Sequence, residues 1–241
     1  MCKDTLSVKQ CIVQLFPDRP LAPSARSHHL RGAVGSLFPD EKEFHQHEAD
    51  GSIVYNYPLI QYKIIRGNIF LTGLGKGAES LADLRLIGTS LVLGKEEYAV
   101  SRQEISYATA EIGCCFSHFA YRFSTPWLAL NEKNYEIYQC IGDFTRRKKM
   151  LARILTGNLL SMSKGLGYTV RNPIKTEFPE IREVKTKLKG IPMLAFTGIF
   201  AVNFHIPEYW GIGKSASRGF GTVNNLLNSA NWESDGKFFR Q

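Results

Sequence analysis

The chain has 241 residues, which is enough for one large domain or two small ones. Hydrophobic residues make up 44% of it and charged residues 22%, values that are typical of a globular protein and exclude a disordered chain. The net charge of +8 is uneven, because residues 1–141 carry 14 basic and 15 acidic side chains whereas residues 142–241 carry 16 and 7, so the later half favours a polyanionic partner such as nucleic acid.

The first half of the chain predicts the element order β-α-β-β-α-β, which is the ferredoxin-like pattern. The predicted elements are a strand over Val8–Phe16, a helix from a cap at Ser24 to about Phe38, strands over Tyr55–Ile65 and Ile69–Thr72, a helix from Ala78 to about Leu86, and a strand over Tyr98–Ala108.

The second half predicts a similar set of elements, and therefore a second α+β unit after a boundary near residue 110. The elements are strand-like segments over Cys114–Phe123 and Pro126–Leu130, helices over Asn131–Cys140 and Asp143–Lys164, a strand over Glu183–Lys189, a long apolar strand ending at Phe204, and a last strand from Phe220 towards Leu226. We therefore predict an α+β fold of tandem ferredoxin-like (RRM-like) domains, over residues 1–110 and 111–241. Such units can bind RNA through their sheets, their helices or the cleft between them.

Basic side chains follow the periodicity of two predicted elements in the second half. On the helix that begins at Asp143 they share the side opposite the apolar stripe, and on the strand that begins at Glu183 they alternate with apolar residues. The helix positions are Arg146, Lys149, Arg153 and Lys164, and the strand positions are Lys185, Lys187 and Lys189.

A glycine-rich basic loop, Gly211–Gly221, precedes the last strand and contains no acidic residue. It does not match a Walker phosphate loop, because that motif needs a glycine where Glu208 stands. The dinucleotide motif Gly-x-Gly-x-x-Gly is also excluded, because Ala216 takes the place of its third glycine. The loop suits the backbone of a polyanion better than a mononucleotide. The residues expected to bind RNA there are Gly211, Gly213, Lys214, Ser215, Ser217, Arg218, Gly219 and Gly221.

The histidine pair His45 and His47 is the main candidate for chemistry. In an extended chain two residues at this spacing point to the same side. Two imidazoles can act as base and acid in RNA cleavage, one removing the 2′-hydroxyl proton and the other protonating the leaving 5′-oxygen. Tyr55 follows closely and could orient the phosphate or donate a hydrogen bond.

Other interpretations of the histidines stay open. His45 and His47 could bind a metal ion with Glu48 or Asp50, or could be surface residues of a loop. His28 and His29 form another candidate pair on the first helix. Arg31 beside them could stabilise a pentacoordinate phosphate.

The sequence resembles the CRISPR-associated endoribonucleases that process precursor guide RNA, members of the RAMP superfamily. The resemblance covers nearly the whole chain and is closest to a branch whose active site uses a His-x-His pair. The stretches that carry it are Leu30–Val34 with Phe44–His47, Tyr57–Lys63, Thr125–Asn131, Asn158–Tyr168 and the glycine-rich loop itself.

This resemblance implies metal-independent cleavage of CRISPR repeat RNA in antiviral defence, with no cofactor. It assigns catalysis to His45 and His47, beside which Tyr55 stays a catalytic candidate from its position, although other branches keep His28 and His29 as alternatives. It also implies a basic RNA path that adds Arg146, Arg147, Arg153, Lys185, Lys187 and Lys189 to the loop. The alternative is a non-catalytic subunit that holds guide RNA in a larger effector complex. The chain is expected to act as a monomer or a homodimer.

The cysteines and the apolar runs suggest a cytoplasmic protein. Five cysteines without a Cys-x-x-Cys pair indicate neither a disulfide framework nor a zinc site. The longest apolar run, Met193–Phe204, is too short to span a membrane, and we expect no membrane partner.

Overall fold

The computed structural model of the protein describes residues 2–39, 44 and 57–226, which contain both helices and strands. The elements of the first half are β1 Cys2–Pro17, α1 Ser27–Leu37, β2 Ile60–Ile65, β3 Asn68–Leu74, α2 Lys76–Ala82, β4 Ser90–Leu93 and β5 Glu96–Phe123. Those of the second half are α3 Glu132–Cys140, α4 Phe144–Gly165, β6 Thr176–Leu188, β7 Ile191–His205 and β8 Val223–Asn225, with a short 3-10 turn over Ala216–Arg218.

The chain forms two compact units. The N-terminal unit consists of Ser7–Ala110 together with Ala216–Gly219. The C-terminal unit consists of residues 111–215 with the described parts of 1–6 and 220–241. The glycine-rich loop therefore contributes residues to both units.

The N-terminal unit is an antiparallel sheet covered by helices. Its strand order is β2-β3-β1-β5, and β4 pairs with β5. The apolar sides of α1 and α2 pack into one core with the sheet, since Leu30, Val34 and Leu81 are buried there beside Tyr62 and Leu71. The predicted β-α-β-β-α-β order is confirmed, with β4 as an additional strand.

The start of α1 differs from the prediction of a cap at Ser24. The cap is Arg26, whose backbone N–H donates to Nδ1 of His29 over 3.2 Å. An imidazole nitrogen in this position accepts the hydrogen bond that a glutamate or glutamine side chain usually accepts. A rule that searches only for serine or threonine at the cap therefore misplaces the helix start.

The C-terminal unit has the strand order β6-β7-β5-β8. Helix α4 covers this unit with a buried side of Leu151, Leu155, Leu159 and Met162, as the apolar spacing predicted. The core is aromatic, with the ring of Trp127 stacked at 5.3 Å on Phe123.

Strand β5 runs unbroken for 28 residues, where the sequence predicted one strand ending at Ala108 and another starting at Cys114. Gly113 lies in this predicted gap with a φ of +148°. A Cβ atom there would lie 2.4 Å from the carbonyl oxygen of Asp4, so the glycine allows a close approach of two backbones and does not end the strand. Cys115 on the same strand is disulfide-bonded, which the cysteine spacing did not predict.

Candidate nucleic-acid interface

The predicted catalytic residues His45, His47 and Tyr55 lie outside the described residues, as do Glu48 and Asp50. The pair His28 and His29 is described and lies in the first turn of α1. The described part of the candidate site therefore begins at this turn.

His29 has a structural role at the start of α1. Its Nδ1 accepts the N–H of Arg26, and its ring is half-buried against Gly94, where a Cβ atom would lie 3.2 Å from Cε1. Because one ring nitrogen is already occupied, His29 is poorly placed to transfer protons.

His28 is exposed, and its ring centroid lies 4.1 Å from that of His29. Partial burial of the imidazole lowers its pKa below the usual value, and the positive charges of His29, Arg218 and Arg26 lower it further. A histidine with a lowered pKa is neutral near pH 7 and can accept a proton there.

The end of the glycine-rich loop packs onto α1 and β2 through Gly219. A Cβ atom at this position would lie 2.4 Å from Oγ of Ser27 and 2.7 Å from the carbonyl oxygen of Tyr62. The φ of Gly219 is +80°, in the left-handed region that favours glycine. Glycine is therefore required at this position on both steric and conformational grounds.

Arg31 joins the same cluster through the loop. Its Nη1 donates to Oγ of Ser217 over 3.1 Å, and Ser217 is buried. Burial lowers the pKa of Arg31, and the neighbouring charge of Arg218 lowers it further. Two guanidinium groups thus lie close together in the N-terminal unit, which is an arrangement suited to a phosphate.

The beginning of the loop belongs to the C-terminal unit, where glycine is required again. Gly213 has a φ of +82°, and a Cβ atom there would lie 2.7 Å from Oδ1 of Asn158 and 2.8 Å from Nε1 of Trp127. The indole N–H of Trp127 donates to that same Oδ1 over 3.1 Å. Lys214 next to it is exposed.

Other residues of the glycine-rich loop also have a positive φ or form backbone contacts that fix the loop. Ser215 also has a positive φ, of 62°. Gly211 forms a β-bridge with Thr222, and the N–H of Gly221 donates to the carbonyl oxygen of Pro126 over 2.9 Å.

The predicted basic positions of the C-terminal unit are exposed, with one exception. The exposed ones are Arg146, Lys149, Arg153, Lys164, Lys185, Lys187 and Lys189. Lys189 lies in the tight turn between β6 and β7 with a φ of 50°, so it ends the alternation and is not a strand residue.

Arg147 is the exception because its guanidinium is already occupied. Nε donates to the carbonyl oxygen of Ile141 over 2.7 Å, and Nη1 lies 3.2 Å from Oε1 of Glu183. The guanidinium also lies 4.8 Å from the ring centroid of Tyr138, whose hydroxyl donates to the same carboxylate. These contacts hold α3, α4 and β6 together.

A buried lysine on β2 was not predicted as a functional candidate. Lys63 has no exposed surface, and its Nζ donates to Oε1 of Gln61 over 2.8 Å. Burial lowers the pKa of this ammonium to about 7. Gln61 and Lys63 alternate with Tyr62 and Ile64 along the strand, and only the three-dimensional structure identifies the two polar residues as buried.

Neither a metal-ligand cluster nor a membrane-spanning helix occurs in the described residues. Within residues 2–39, 44 and 57–226, no three His, Cys, Asp or Glu side chains are grouped as metal ligands would be. No helix in the described part of the chain has the length and apolar composition needed to cross a membrane.

The comparisons with known proteins cover both units. The Cas6b N-terminal domain family matches residues 7–111, and the Cas6b C-terminal domain family matches residues 113–226. An uncharacterized protein of Methanocaldococcus jannaschii is 43% identical over 133 residues, which are 55% of this chain and 90% of that protein.

Two solved structures are similar over most of the chain. A crystal structure of Cas6b is 35% identical with a TM-score of 0.84, and it covers 91% of this chain and 100% of its own. A crystal structure of a CRISPR RNA processing endoribonuclease, Cas6b, is 34% identical with a TM-score of 0.73 and the same coverage.

Proposed function

The chain belongs to the Cas6b family of CRISPR RNA processing endoribonucleases, and we propose that it cleaves CRISPR repeat RNA by metal-independent general acid–base catalysis. The reaction begins with attack of a 2′-hydroxyl oxygen on the adjacent phosphorus, while a base removes the hydroxyl proton. The P–O5′ bond then breaks, and an acid protonates the leaving 5′-oxygen. The products are a 2′,3′-cyclic phosphate and a 5′-hydroxyl end.

His45 and His47 are proposed as base and acid, with Tyr55 orienting the phosphate. The ordinary pKa of an imidazole is near neutrality, so one member of such a pair can be neutral while the other is protonated. His28 is the second candidate for the base, because it is accessible and its pKa is lowered by partial burial and by the charges of His29, Arg218 and Arg26.

The observation that carries the proposal is the cationic cluster on α1. Arg31 is hydrogen-bonded to Ser217, and the neighbouring Arg218 is close enough to lower the pKa of both Arg31 and His28. Fixed guanidinium groups stabilise the negative charge that builds up on a pentacoordinate phosphate, and they need no reorganisation during the reaction. We therefore place the cleaved phosphate at this cluster.

The RNA strand outside the cluster is proposed to follow the exposed basic side chains of the C-terminal unit. Phosphate contacts of this kind give affinity and position the RNA without reading its sequence. The proposed contacts are Lys214, Ser215, Arg146, Arg153, Lys185, Lys187 and Lys189, with Arg147 as a partly occupied member.

The decisive experiment is single-turnover cleavage of the host's repeat RNA in the presence of EDTA. The His45→Ala, His47→Ala double variant should bind the RNA normally and cut it about 10²–10⁴-fold more slowly, as expected for loss of acid–base groups. His28→Ala tests the second candidate. His118→Ala, an exposed histidine of β5, is the matched control and should cut normally. Unchanged cutting by the double variant would refute the assignment of His45 and His47.

The same experiment distinguishes the alternative functions. A gel shift without any cutting would mean a guide-RNA-binding subunit, which would act with other CRISPR effector subunits. Cutting that EDTA abolishes would mean a metal-dependent phosphodiesterase. Light scattering of the same preparation gives the oligomeric state, monomer or homodimer.

A further inference from the structure

A cavity of about 320 Å³ lies in the N-terminal unit beside the start of α1. Its walls come from the segment before the helix and from the β2–β3 hairpin. They include Leu21, Ala22, Pro23, Ser27, Ile64 and Gly67.

The walls of this cavity are held by hydrogen bonds. Oγ of Ser27 accepts the N–H of Ile64 over 2.9 Å, which fixes α1 to β2. The guanidinium of Arg26 donates to the carbonyl oxygens of Pro23 and Ala25, which fixes the segment before the helix. These hydrogen bonds restrain the backbone around the cavity.

The size and the chemistry of the cavity suit a single flat ring system. Ligand pockets usually measure about 300–1,000 Å³, so this one is at the small end of the range. Leu21, Pro23 and Ile64 offer apolar contacts for the faces of a ring, and Ser27 and backbone groups offer polar contacts for its edge. A nucleobase has this combination of apolar faces and a polar edge.

The cavity adjoins the cationic cluster through one shared residue. Ser27 lines the cavity and also lies against Gly219 of the glycine-rich loop. Its neighbour in the chain is His28, and the neighbour of Gly219 is Arg218. The cavity and the proposed phosphate position therefore adjoin each other in the N-terminal unit.

We propose that this cavity binds one unpaired base of the RNA, namely that of a nucleotide next to the phosphate held at His28 and Arg218. This inference rests on the proposed function, and it adds a determinant of where the RNA is cut. The cationic cluster recognises any phosphate, whereas a cavity that surrounds a single ring accepts a base only where the RNA is unpaired.

Two variants test the cavity. Ala22→Leu fills part of it. Gly67→Asn narrows it from the hairpin, where a Cβ atom would meet nothing within 4 Å and where asparagine tolerates the φ of +79°. Ala108→Leu is the matched control, because this exposed alanine of β5 lies outside the cavity. Thermal unfolding verifies that all three variants are folded.

The first readout combines these variants with RNAs that carry an abasic site on either side of the cleaved bond. In the unsubstituted protein, one of the two abasic RNAs should be cut or bound about tenfold less well, the order expected for loss of one stacked or buried base. Ala22→Leu and Gly67→Asn should lower the cutting of intact RNA by a similar factor, and the abasic site should then cause no further loss. The control should behave like the unsubstituted protein.

The second readout does not depend on cleavage. The RNA for this measurement carries a 2′-deoxy nucleotide at the cut, which prevents cleavage, and 2-aminopurine at the sensitive position. Its fluorescence should increase on binding, because the base no longer stacks on neighbouring bases and instead contacts the aliphatic side chains of the cavity. Ala22→Leu should remove this increase. Equal cutting and equal fluorescence for the two cavity variants and the control would overturn the proposal while leaving the proposed function intact. Failure of the unsubstituted protein to cut any repeat RNA would overturn both.

Discussion

At the scale of single residues, the conformation of the glycine-rich loop requires glycines, because a side chain would not fit at several of its positions. Gly219 combines a positive φ with a backbone contact that excludes a Cβ atom, whereas Gly88 has the same positive φ beside open space. Alanine substitutions at the two positions therefore separate the cost of the backbone conformation from the cost of the steric overlap that a Cβ atom creates.

Gly219→Ala should therefore be more harmful than Gly88→Ala. Both place alanine in the left-handed region, which costs about 1–2 kcal/mol. Only Gly219→Ala also displaces Ser27, so its free energy of unfolding should fall further and RNA cutting should drop, while Gly88→Ala should cut normally. Urea denaturation and single-turnover cutting measure the two effects. Equal behaviour of the two variants would contradict the contact described for Gly219.

Lys63 makes the stability of the protein depend on pH in the alkaline range. Its pKa is about 7 in the folded protein and 10.5 in the unfolded chain, so between these values the unfolded chain binds more protons. The contribution of Lys63 to the free energy of unfolding should therefore rise with pH between about 7 and 10.5, by at most about 1.4 kcal/mol per pH unit.

This prediction is tested by urea denaturation of the unsubstituted protein and of Lys63→Met over that pH range. The difference between the two free energies of unfolding should change with pH in the stated direction. Lys95→Met, at an exposed lysine, should show no such change. A pH-independent difference for Lys63→Met would mean that the ammonium keeps its ordinary pKa.

At the scale of elements, α4 carries two kinds of arginine that its sequence does not distinguish. Arg147 is held by Ile141, Glu183 and Tyr138, whereas Arg153 is exposed on the same helix. The sequence analysis assigned both to one basic RNA path. A sequence shows that a residue is basic, but it does not show whether the guanidinium is already bound to another residue of the protein.

Arg147→Ala should destabilise the protein by about 1–3 kcal/mol, the range for lost hydrogen bonds of a charged group. Arg153→Ala should change stability by less than about 0.5 kcal/mol, as surface substitutions usually do. For RNA affinity we expect a loss with Arg153→Ala. Chemical denaturation and a filter-binding assay measure both quantities. A strongly destabilised Arg153→Ala variant would show that this side chain also has a structural partner.

The elements themselves were largely predictable from local patterns. The alternation of Val184, Thr186 and Leu188 with lysines predicted a strand, and the apolar spacing around Leu155 predicted α4. The error at the start of α1 has a local cause, the contact of His29 with Arg26, whereas the error in β5 comes from a distant segment. Gly113 was interpreted as part of a break because its neighbour across the sheet, Asp4, is more than one hundred positions away in the chain.

At the scale of the whole molecule, the excess of positive charge belongs to the later half of the sequence. RNA binding that rests on these charges should weaken steeply as salt increases, because each phosphate contact releases bound counterions. Three lysines form the simplest set to replace, because all of them are exposed: Lys185 and Lys187 on β6 and Lys189 in the turn after it.

Replacing Lys185, Lys187 and Lys189 by alanine should lower the slope of log K against log salt concentration by about two to three units, roughly one per phosphate contact. The measurement is RNA binding at several salt concentrations. Lys95→Ala, in the half without excess charge, serves as control and should leave the slope unchanged. An unchanged slope for the triple variant would exclude these lysines from the RNA path.

The candidate site was predictable only in part, because it brings together residues that are far apart in the sequence. The sequence identified the glycine-rich loop and, separately, the histidines and Arg31 of the first helix. It could not show that Ser217 meets Arg31, because 186 positions separate them and no local pattern relates them. The cavity beside Ser27 was equally hidden, since its walls come from two segments with unremarkable compositions.

The four residues Ala216–Gly219 complete a unit whose other residues end at Ala110. A ribosome therefore releases the helix that bears His28 and Arg31 long before it makes Ser217 and Arg218. The nascent chain carries its histidines without the guanidinium of Arg218 and without the hydrogen bond to Arg31, so the cationic cluster stays incomplete until residues 216–219 have been made. A product truncated before residue 216 would accordingly lack the cationic cluster.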